Sequence, residues 1–218
     1  MSLAIFDLDN TLIGGDSDYL WGEFLVKNQL IDAEEYRREN ERFYRQYQDG
    51  SLDIYEYQAF SLKPLSQHPL EQLHEWHQAF MQQMIEPIML PQAQALIEKH
   101  KAQGDRPLII TATNTFITRP IGEKLGIDEL IGTEPEMMNG QFTGRVAGIP
   151  SFQQGKVTRL ADWLKQQNEN LENSYFYSDS HNDLPLLEQV SYPVAVDADP
   201  RLTEVAKQKG WKQMSLRG

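Results

Sequence analysis

The chain has 218 residues, no cysteine, and 20 Lys and Arg against 32 Asp and Glu, a formal charge of −12. Without cysteine there can be no disulfide scaffold, thiolate zinc site or cysteine nucleophile, and the acidic balance argues against a nucleic-acid partner, which needs a basic face. Apolar residues make up 40%, with nine Phe, nine Tyr and four Trp, enough for a real core and unlike a disordered acidic tail.

The opening, MSLAIFDLDNTL, has no basic region and no long apolar run. Neither a signal peptide nor a membrane span is expected, and a soluble cytoplasmic protein is the default reading. Leu3–Leu8 is short and apolar and runs into Asp9-Asn10-Thr11, which predicts a buried strand ending in a polar loop. From 16 to 87 the chain is rich in Glu, Gln, Arg, Tyr and Leu, with Trp21, Phe24 and Leu25 and then Leu70, Leu73, Trp76, Phe80 and Met84 at helical spacing. This stretch predicts three to five helices.

Beyond Pro87, strand and helix patterns alternate. A helix from Pro91 to Gln103, a strand at Pro107–Ala112 and a helix at Thr118–Leu125 are predicted first. A hairpin follows around Asn139-Gly140, then a helix at Phe152–Gln167. Strands at Asn173–Ser178 and Tyr192–Val196 flank a short helix near Leu184–Gln189, and a last helix covers Pro200–Lys209. Alternation of this kind predicts a doubly wound, Rossmann-like α/β parallel sheet with ligands at the carboxyl ends of its strands. The core domain is expected to span 1–15 and 88–218, with 16–87 inserted as a helical cap domain.

Four places carry chemistry. Asp7 and Asp9 lie two apart on an extended segment, so both face one side while Leu8 faces the core. Paired carboxylates stay ionised beside a cation, and hard oxygen donors suit Mg²⁺. Thr111 ends an apolar strand, and its hydroxyl with the amides of Ala112 and Thr113 could hold phosphoryl oxygens. Lys156 sits early in a helix, where the dipole does not favour a cation, which hints at an anionic partner. Asp179 ends a strand at the same sheet edge as Asp7, and Asp183 follows four residues later. Asn182 or Asp183 could also cap the next helix.

The ordered set FDLDNTL, LIITAT, GK and YSDSHNDLPLL resembles the haloacid dehalogenase superfamily of phosphohydrolases across essentially the whole chain. The place of the insert and NDLPLL look like its phosphoserine-phosphatase-like branch, with a C1-type helical cap. GGDSDYLWGEFL and VDADPRLTEVAKQKGW are similar to a group within it that includes bacterial histidinol-phosphate phosphatases. The resemblance implies that Asp7 is a nucleophile forming an aspartyl-phosphate and that Asp9 is the general acid and base. It implies Mg²⁺ held by the Asp7 carboxylate, the Asp9 carbonyl and Asp179, Thr111 and Lys156 on the phosphoryl group, and Asp183 behind the metal or Lys156.

The expected substrate is a small phosphorylated, amino-bearing metabolite. Histidinol phosphate is the first expectation and phosphoserine the second, with no nucleic-acid or membrane partner. Asp16 and Asp18 are expected to face the substrate ammonium, unless they only cap the first cap helix. Arg37, Arg38, Arg42 and Arg45 could hold a substrate carboxylate, and their spacing equally fits a charged helix face. Asn182 is expected among the substrate-binding residues, and His181 is a candidate contact. Phosphoryl transfer to an acceptor other than water is a further reading. A catalytically idle phosphate-binding protein on the same fold would be expected to have lost Asp7, Asp9 or Lys156, and all three are present. His74 and His77 read as a polar helix face, Trp21, Phe24 and Trp76 as cap core, and Met81, Met84, Met89, Met137 and Met138 as packing.

Overall fold

The computed structural model describes residues 2–218. Strand β1 (Leu3–Phe6) is followed by helices α1 (Ser17–Lys27), α2 (Ala33–Asp49), α3 (Ile54–Ser61), α4 (Lys63–Ser66) and α5 (Leu70–Phe80). A π-turn at Met81–Ile85 and a 3₁₀ turn at Glu86–Ile88 lead into α6 (Pro91–Ala102) and β2 (Arg106–Asn114). Next come α7 (Thr115–Lys124), β3 (Leu130–Thr133), and the hairpin β4 (Pro135–Met138) and β5 (Gln141–Val146). The chain ends with α8 (Gln154–Gln167), β6 (Tyr175–Ser178), α9 (Leu184–Leu187), β7 (Tyr192–Val196), α10 (Pro200–Lys209) and β8 (Lys212–Met214).

Six strands form one sheet in the order β3-β2-β1-β6-β7-β8, and every pairing is parallel. The chain builds outward from β1 to β2 and β3 on one side, then returns to β6 on the other. A crevice opens where the winding reverses, at the carboxyl ends of β1, β2 and β6. Asp7 follows β1, Thr111 lies in β2, and Asp179 follows β6, so the topology alone brings three of the four predicted places together. Alternate residues of each strand enter opposite cores. Ala4, Phe6, Ile109, Tyr177 and Val194 face the side covered by α6 and α7, whereas Leu3, Ile5, Leu108, Phe176 and Ala195 face α8, α9 and α10.

The inserted helices share the first of these cores. Trp21 and Phe80 cross edge-on at 5.2 Å, and Trp21 meets Phe116 of α7 at 5.8 Å. Leu62 and Leu65 belong to the same apolar cluster as Ile117 and Ile121, and Phe142 of the hairpin packs against it. Burial of this contiguous surface, at roughly 25 cal/mol per Å² of apolar area, holds the insert against the sheet.

Several expectations are corrected. Strands β3 and β8 had no forecast, and β1 stops at Phe6 rather than Leu8. Helix α7 begins three residues earlier than expected because Asn114 caps it, its side chain accepting from the Ile117 amide at 3.2 Å. His77 is not on a polar face. It is buried, Nε2 lies 2.9 Å from the Ile117 carbonyl oxygen, and burial pulls its pKa down. Met137 and Met138 are exposed on the hairpin instead of packed, whereas Trp21 and Phe24 are core residues as expected.

Candidate active site

Asp7 leaves β1 into the crevice and is buried. Its Oδ1 accepts from Lys156 Nζ at 2.7 Å, and the same ammonium lies 2.8 Å from the Asp183 carboxylate. Ser178 donates its hydroxyl to Asp183 at 2.7 Å. Asp183 stands at the N-cap position of α9 but gives its side chain to no helix amide, while Ser180 caps the 3₁₀ turn His181–Asp183 before it, accepting from the Asn182 amide at 3.2 Å. Lys156 occupies the first turn of α8, the unfavourable end of the dipole, and its two carboxylates explain why it can be buried there. Burial alone would lower its pKa, but Asp183 and Asp7 more than offset that and hold it above the ordinary lysine value.

Thr11 joins the two sides of the crevice. Its hydroxyl lies 3.5 Å from Asp7 Oδ2 and 3.3 Å from Asp179 Oδ1, and it accepts from the Asp179 amide at 3.1 Å. Two carboxylates thus converge on one hydroxyl, which has a single proton to give. Burial pushes Asp7 up to about 7, with Lys156 opposing and Asp183 and Asp9 adding to the rise. Asp179 is raised well above the usual carboxylate range by burial, then by Asp7 and Asp183. Lys156 pairs with Asp7 and Asp183 and Asp179 adds a third carboxylate, beside the Thr11 hydroxyl, so carboxylates outnumber the ammonium, an arrangement a divalent cation would balance.

The donor set fits Mg²⁺, which takes one or two carboxylates plus water and substrate oxygens. Asp7 and Asp179 could supply the carboxylates, while Asp183 is turned to Lys156. Among the described residues no group of three or more His, Asp or Glu is arranged to hold a metal ion by itself.

Asp9 is fixed by three donors. The Ser17 amide at the start of α1 reaches Oδ1 at 2.7 Å, and the hydroxyls of Thr113 and Thr111 reach Oδ2 at 2.8 and 3.3 Å. Thr111 also accepts from the Thr113 amide at 3.2 Å. Of the expected phosphoryl donors, the Thr111 hydroxyl is thus given to Asp9 and the Thr113 amide to Thr111.

A pocket runs from these groups up to the inserted helices. Its carboxylates are Asp7, Asp9, Asp16 and Asp18, and its base includes Thr111, Ala112 and Thr113. Its aromatic wall is Tyr19, Phe43, Tyr44, Tyr47, Tyr57 and Phe152. No Lys or Arg among the described residues lines it. Asp16 caps α1, its Oδ1 accepting from the Asp18 and Tyr19 amides at 3.0 and 2.9 Å, while also lining the pocket. Its pKa is raised well above normal by burial, then by Asp9. Asp18 does not cap. Tyr57 and Ser61 of α3 donate to it at 2.6 and 2.9 Å, and burial lifts its pKa to about 6.

The remaining candidates lie elsewhere. Arg37 pairs with Glu23, Arg38 with Glu39, Arg42 with Glu39 and Glu56, and Arg45 with Glu41, all on the exposed side of α2. Asn182 does not line the pocket. Its amide accepts from Gln153 Nε2 at 2.9 Å and donates to the Tyr47 carbonyl at 3.1 Å. His181 is buried, with Nδ1 2.8 Å from Asp199 Oδ2 and Nε2 3.0 Å from Arg201 Nη1.

Residues 4–188 match the haloacid dehalogenase-like hydrolase family. The chain belongs to that family. It is 46% identical over 220 residues to a histidinol-phosphatase of Neisseria meningitidis serogroup C, covering 99% of each chain. A crystal structure of a protein of unknown function from Bordetella pertussis superposes with a TM-score of 0.93 at 42% identity, covering 99% of this chain and 98% of that one. A phospho-aspartyl intermediate analogue of phosphoserine phosphatase superposes with a TM-score of 0.72 at 19% identity, covering 100% and 93%, a likeness of fold. Family membership and the full-length relative make this haloacid dehalogenase-like hydrolase an enzyme, and its reaction class that of a phosphatase.

Sequence reasoning missed Thr11, which stood inside the first motif, and the aromatic wall. Asn40, Phe43, Tyr44 and Tyr47 recur at three- and four-residue spacing on α2, a signal of one helix face. That face turned out to line the pocket.

Proposed function

We propose that this enzyme hydrolyses histidinol phosphate through an aspartyl-phosphate on Asp7, with Mg²⁺ as cofactor. The observation that carries the substrate is the pocket wall, where carboxylates and aromatic rings meet without a lysine or arginine. An ammonium gains from Asp16 and Asp18, and an imidazole stacks on tyrosine and phenylalanine rings. A carboxylate beside the amine, as in phosphoserine, would find only like charge there. The full-length relative named a histidinol-phosphatase supports the same reading.

In this proposal a carboxylate oxygen of Asp7 attacks phosphorus, the bond to the substrate oxygen breaks, and Asp9 gives that oxygen a proton. Water then attacks the phosphoryl group, loses its proton to Asp9, and releases inorganic phosphate and free Asp7. Lys156 holds Asp7 in place and tempers its charge, while Thr111 and the neighbouring amides receive the phosphoryl oxygens. Asp7, Asp179 and the Asp9 carbonyl would hold Mg²⁺, whose charge favours a phosphoryl group over bare repulsion from the carboxylates.

The test is phosphate release from histidinol phosphate and from phosphoserine, with Mg²⁺ and with excess chelator. The expected result is a kcat/KM at least about tenfold higher for histidinol phosphate, from a single close charge contact, and no release in chelator. Preference for phosphoserine would overturn the substrate, and full release in chelator would overturn the cofactor.

A further inference from the structure

Tyr44 and Tyr47, on the last turns of α2, form part of the pocket wall. Helix ends are the least restrained parts of a helix, since their last carbonyls lack partners within it. Here two of those carbonyls are taken by the sheet domain. Asn182 Nδ2 donates to the Tyr47 carbonyl at 3.1 Å, and Arg201 Nη1, from the start of α10, donates to the Asp49 carbonyl at 3.2 Å. The arginine also brings a cation to the negative end of the α2 dipole.

Both donors are themselves held. Asp199 accepts from the His181 amide at 2.6 Å and lies 2.8 Å from its Nδ1, which leaves Nε2 to receive Arg201 at 3.0 Å. Gln153 fixes the Asn182 amide. Gly50 closes α2 in the left-handed conformation, φ 79°, and a Cβ there would stand 2.9 Å from His181 Nε2 and 3.1 Å from Arg201 Nη1. The seam is therefore tight as well as bonded, and it forms without any of its three side chains entering the leaving-group pocket.

We infer that Arg201, His181 and Asn182 are positioning residues for substrate selection, latching the end of α2 to the sheet domain so that Tyr44 and Tyr47 stand over the reaction site. The latch selects because the wall it fixes touches the leaving group, whereas the phosphoryl group is held by β1, β2, α8 and β6. Loosening it should weaken binding of a bulky leaving group and spare chemistry on a small one. The inference uses the proposed substrate only as the probe for that difference.

The experiment uses the full chain with Mg²⁺ and three variants, Arg201→Met, Gly50→Ala and Gly104→Ala. The last places Ala at φ 82° with no atom within 4 Å, so it carries the backbone strain of Gly50→Ala without the clash. Hydrogen exchange of peptides covering 44–52 is read without substrate. Exchange is expected to rise about tenfold or more in Arg201→Met and Gly50→Ala, from the loss of a charged hydrogen bond, and to stay at the wild-type rate in Gly104→Ala. In the first two variants KM for histidinol phosphate is expected to rise severalfold, with kcat for acetyl phosphate unchanged.

Unaltered exchange at 44–52 would overturn the latch. Raised exchange with unchanged KM for histidinol phosphate, or an equal loss on acetyl phosphate, would overturn its part in selection. Should the wild type not accept histidinol phosphate, the substrate reading falls, and the latch is judged by exchange and by KM for the phosphomonoester the wild type does prefer.

Discussion

Replacing Asp18 with Asn should make the protein more stable and a worse enzyme. Asp18 is 5% exposed, and burial lifts its carboxyl from 3.8 to about 6 although Tyr57 and Ser61 both donate to it. A folded-state pKa above the unfolded value means that the folded protein binds this proton more tightly. The penalty is therefore absent below about pH 4 and complete above about pH 6, where the charged form costs about 3 kcal/mol. Asn keeps one oxygen for a hydroxyl, and the other hydroxyl must turn to accept from the new amide, at a loss of about 1 kcal/mol.

The expected change for Asp18→Asn is thus a gain of about 2 kcal/mol at pH 8 that turns into a loss of about 1 kcal/mol at pH 4, where only the hydrogen-bond term remains. Urea unfolding of the metal-free protein at pH 8, 6 and 4 reads it directly. In the same variant kcat/KM for histidinol phosphate should fall about tenfold, because an ammonium loses one facing charge. Loss of stability at pH 8, or a change of the same size at all three pH values, would refute the electrostatic argument. A costly carboxylate of this kind, kept at a pocket wall, is what a binding role for Asp18 would require.

Two other substitutions test the supporting frame. Lys156→Met strands Asp7 and Asp183 without their cation and should cost about 3–5 kcal/mol at pH 8, less as pH falls and Asp7 takes up a proton, with phosphate release lost. Urea titrations across pH check the first part and a release assay the second. Gly155→Ala drives a Cβ into the Pro150 carbonyl oxygen, so the loop bearing Phe152 must shift. A loss of about 1–3 kcal/mol by urea unfolding and a lower kcat/KM are expected, and a wild-type melting curve would contradict the packing.

What could be read in the sequence followed from regular periods and local punctuation. Asp7 and Asp9 both line the pocket as a two-residue alternation predicts, although β1 ends at Phe6 and Asp9 lies in the turn beyond it, and Asp179 reaches the same edge because it follows a parallel strand. The edge strands were hidden by their chemistry. Lys212–Met214 is three residues with a polar centre, and Leu130–Thr133 is four residues containing Gly132, too short for a pattern to emerge. The pocket wall was hidden for another reason. Phe43 packs on Phe60 at 5.1 Å and still lines the cavity beside Tyr44 and Tyr47, and spacing along α2 does not say whether such a face will be covered or left open to a ligand. The four arginines of α2 show the reverse case, where nearby Glu23, Glu39, Glu41 and Glu56 claim every guanidinium. Asn182 and His181 sit in the fourth motif as expected, but their partners, the end of α2 and Asp199, come from distant segments that no local motif reveals.

The most direct test is a trapping experiment on the wild type. Mixed with histidinol phosphate and Mg²⁺, then acid-quenched within the first turnover and digested, the protein should carry a phosphoryl group on Asp7, and Asp9→Asn should carry less, because its leaving oxygen loses a proton donor at a cost of about 10²–10⁴-fold. Phosphoserine under the same conditions should label Asp7 far less. No phosphoryl group on the peptide containing Asp7 from either substrate would contradict the nucleophile, and equal labelling by both would contradict the reading of the acidic, aromatic pocket.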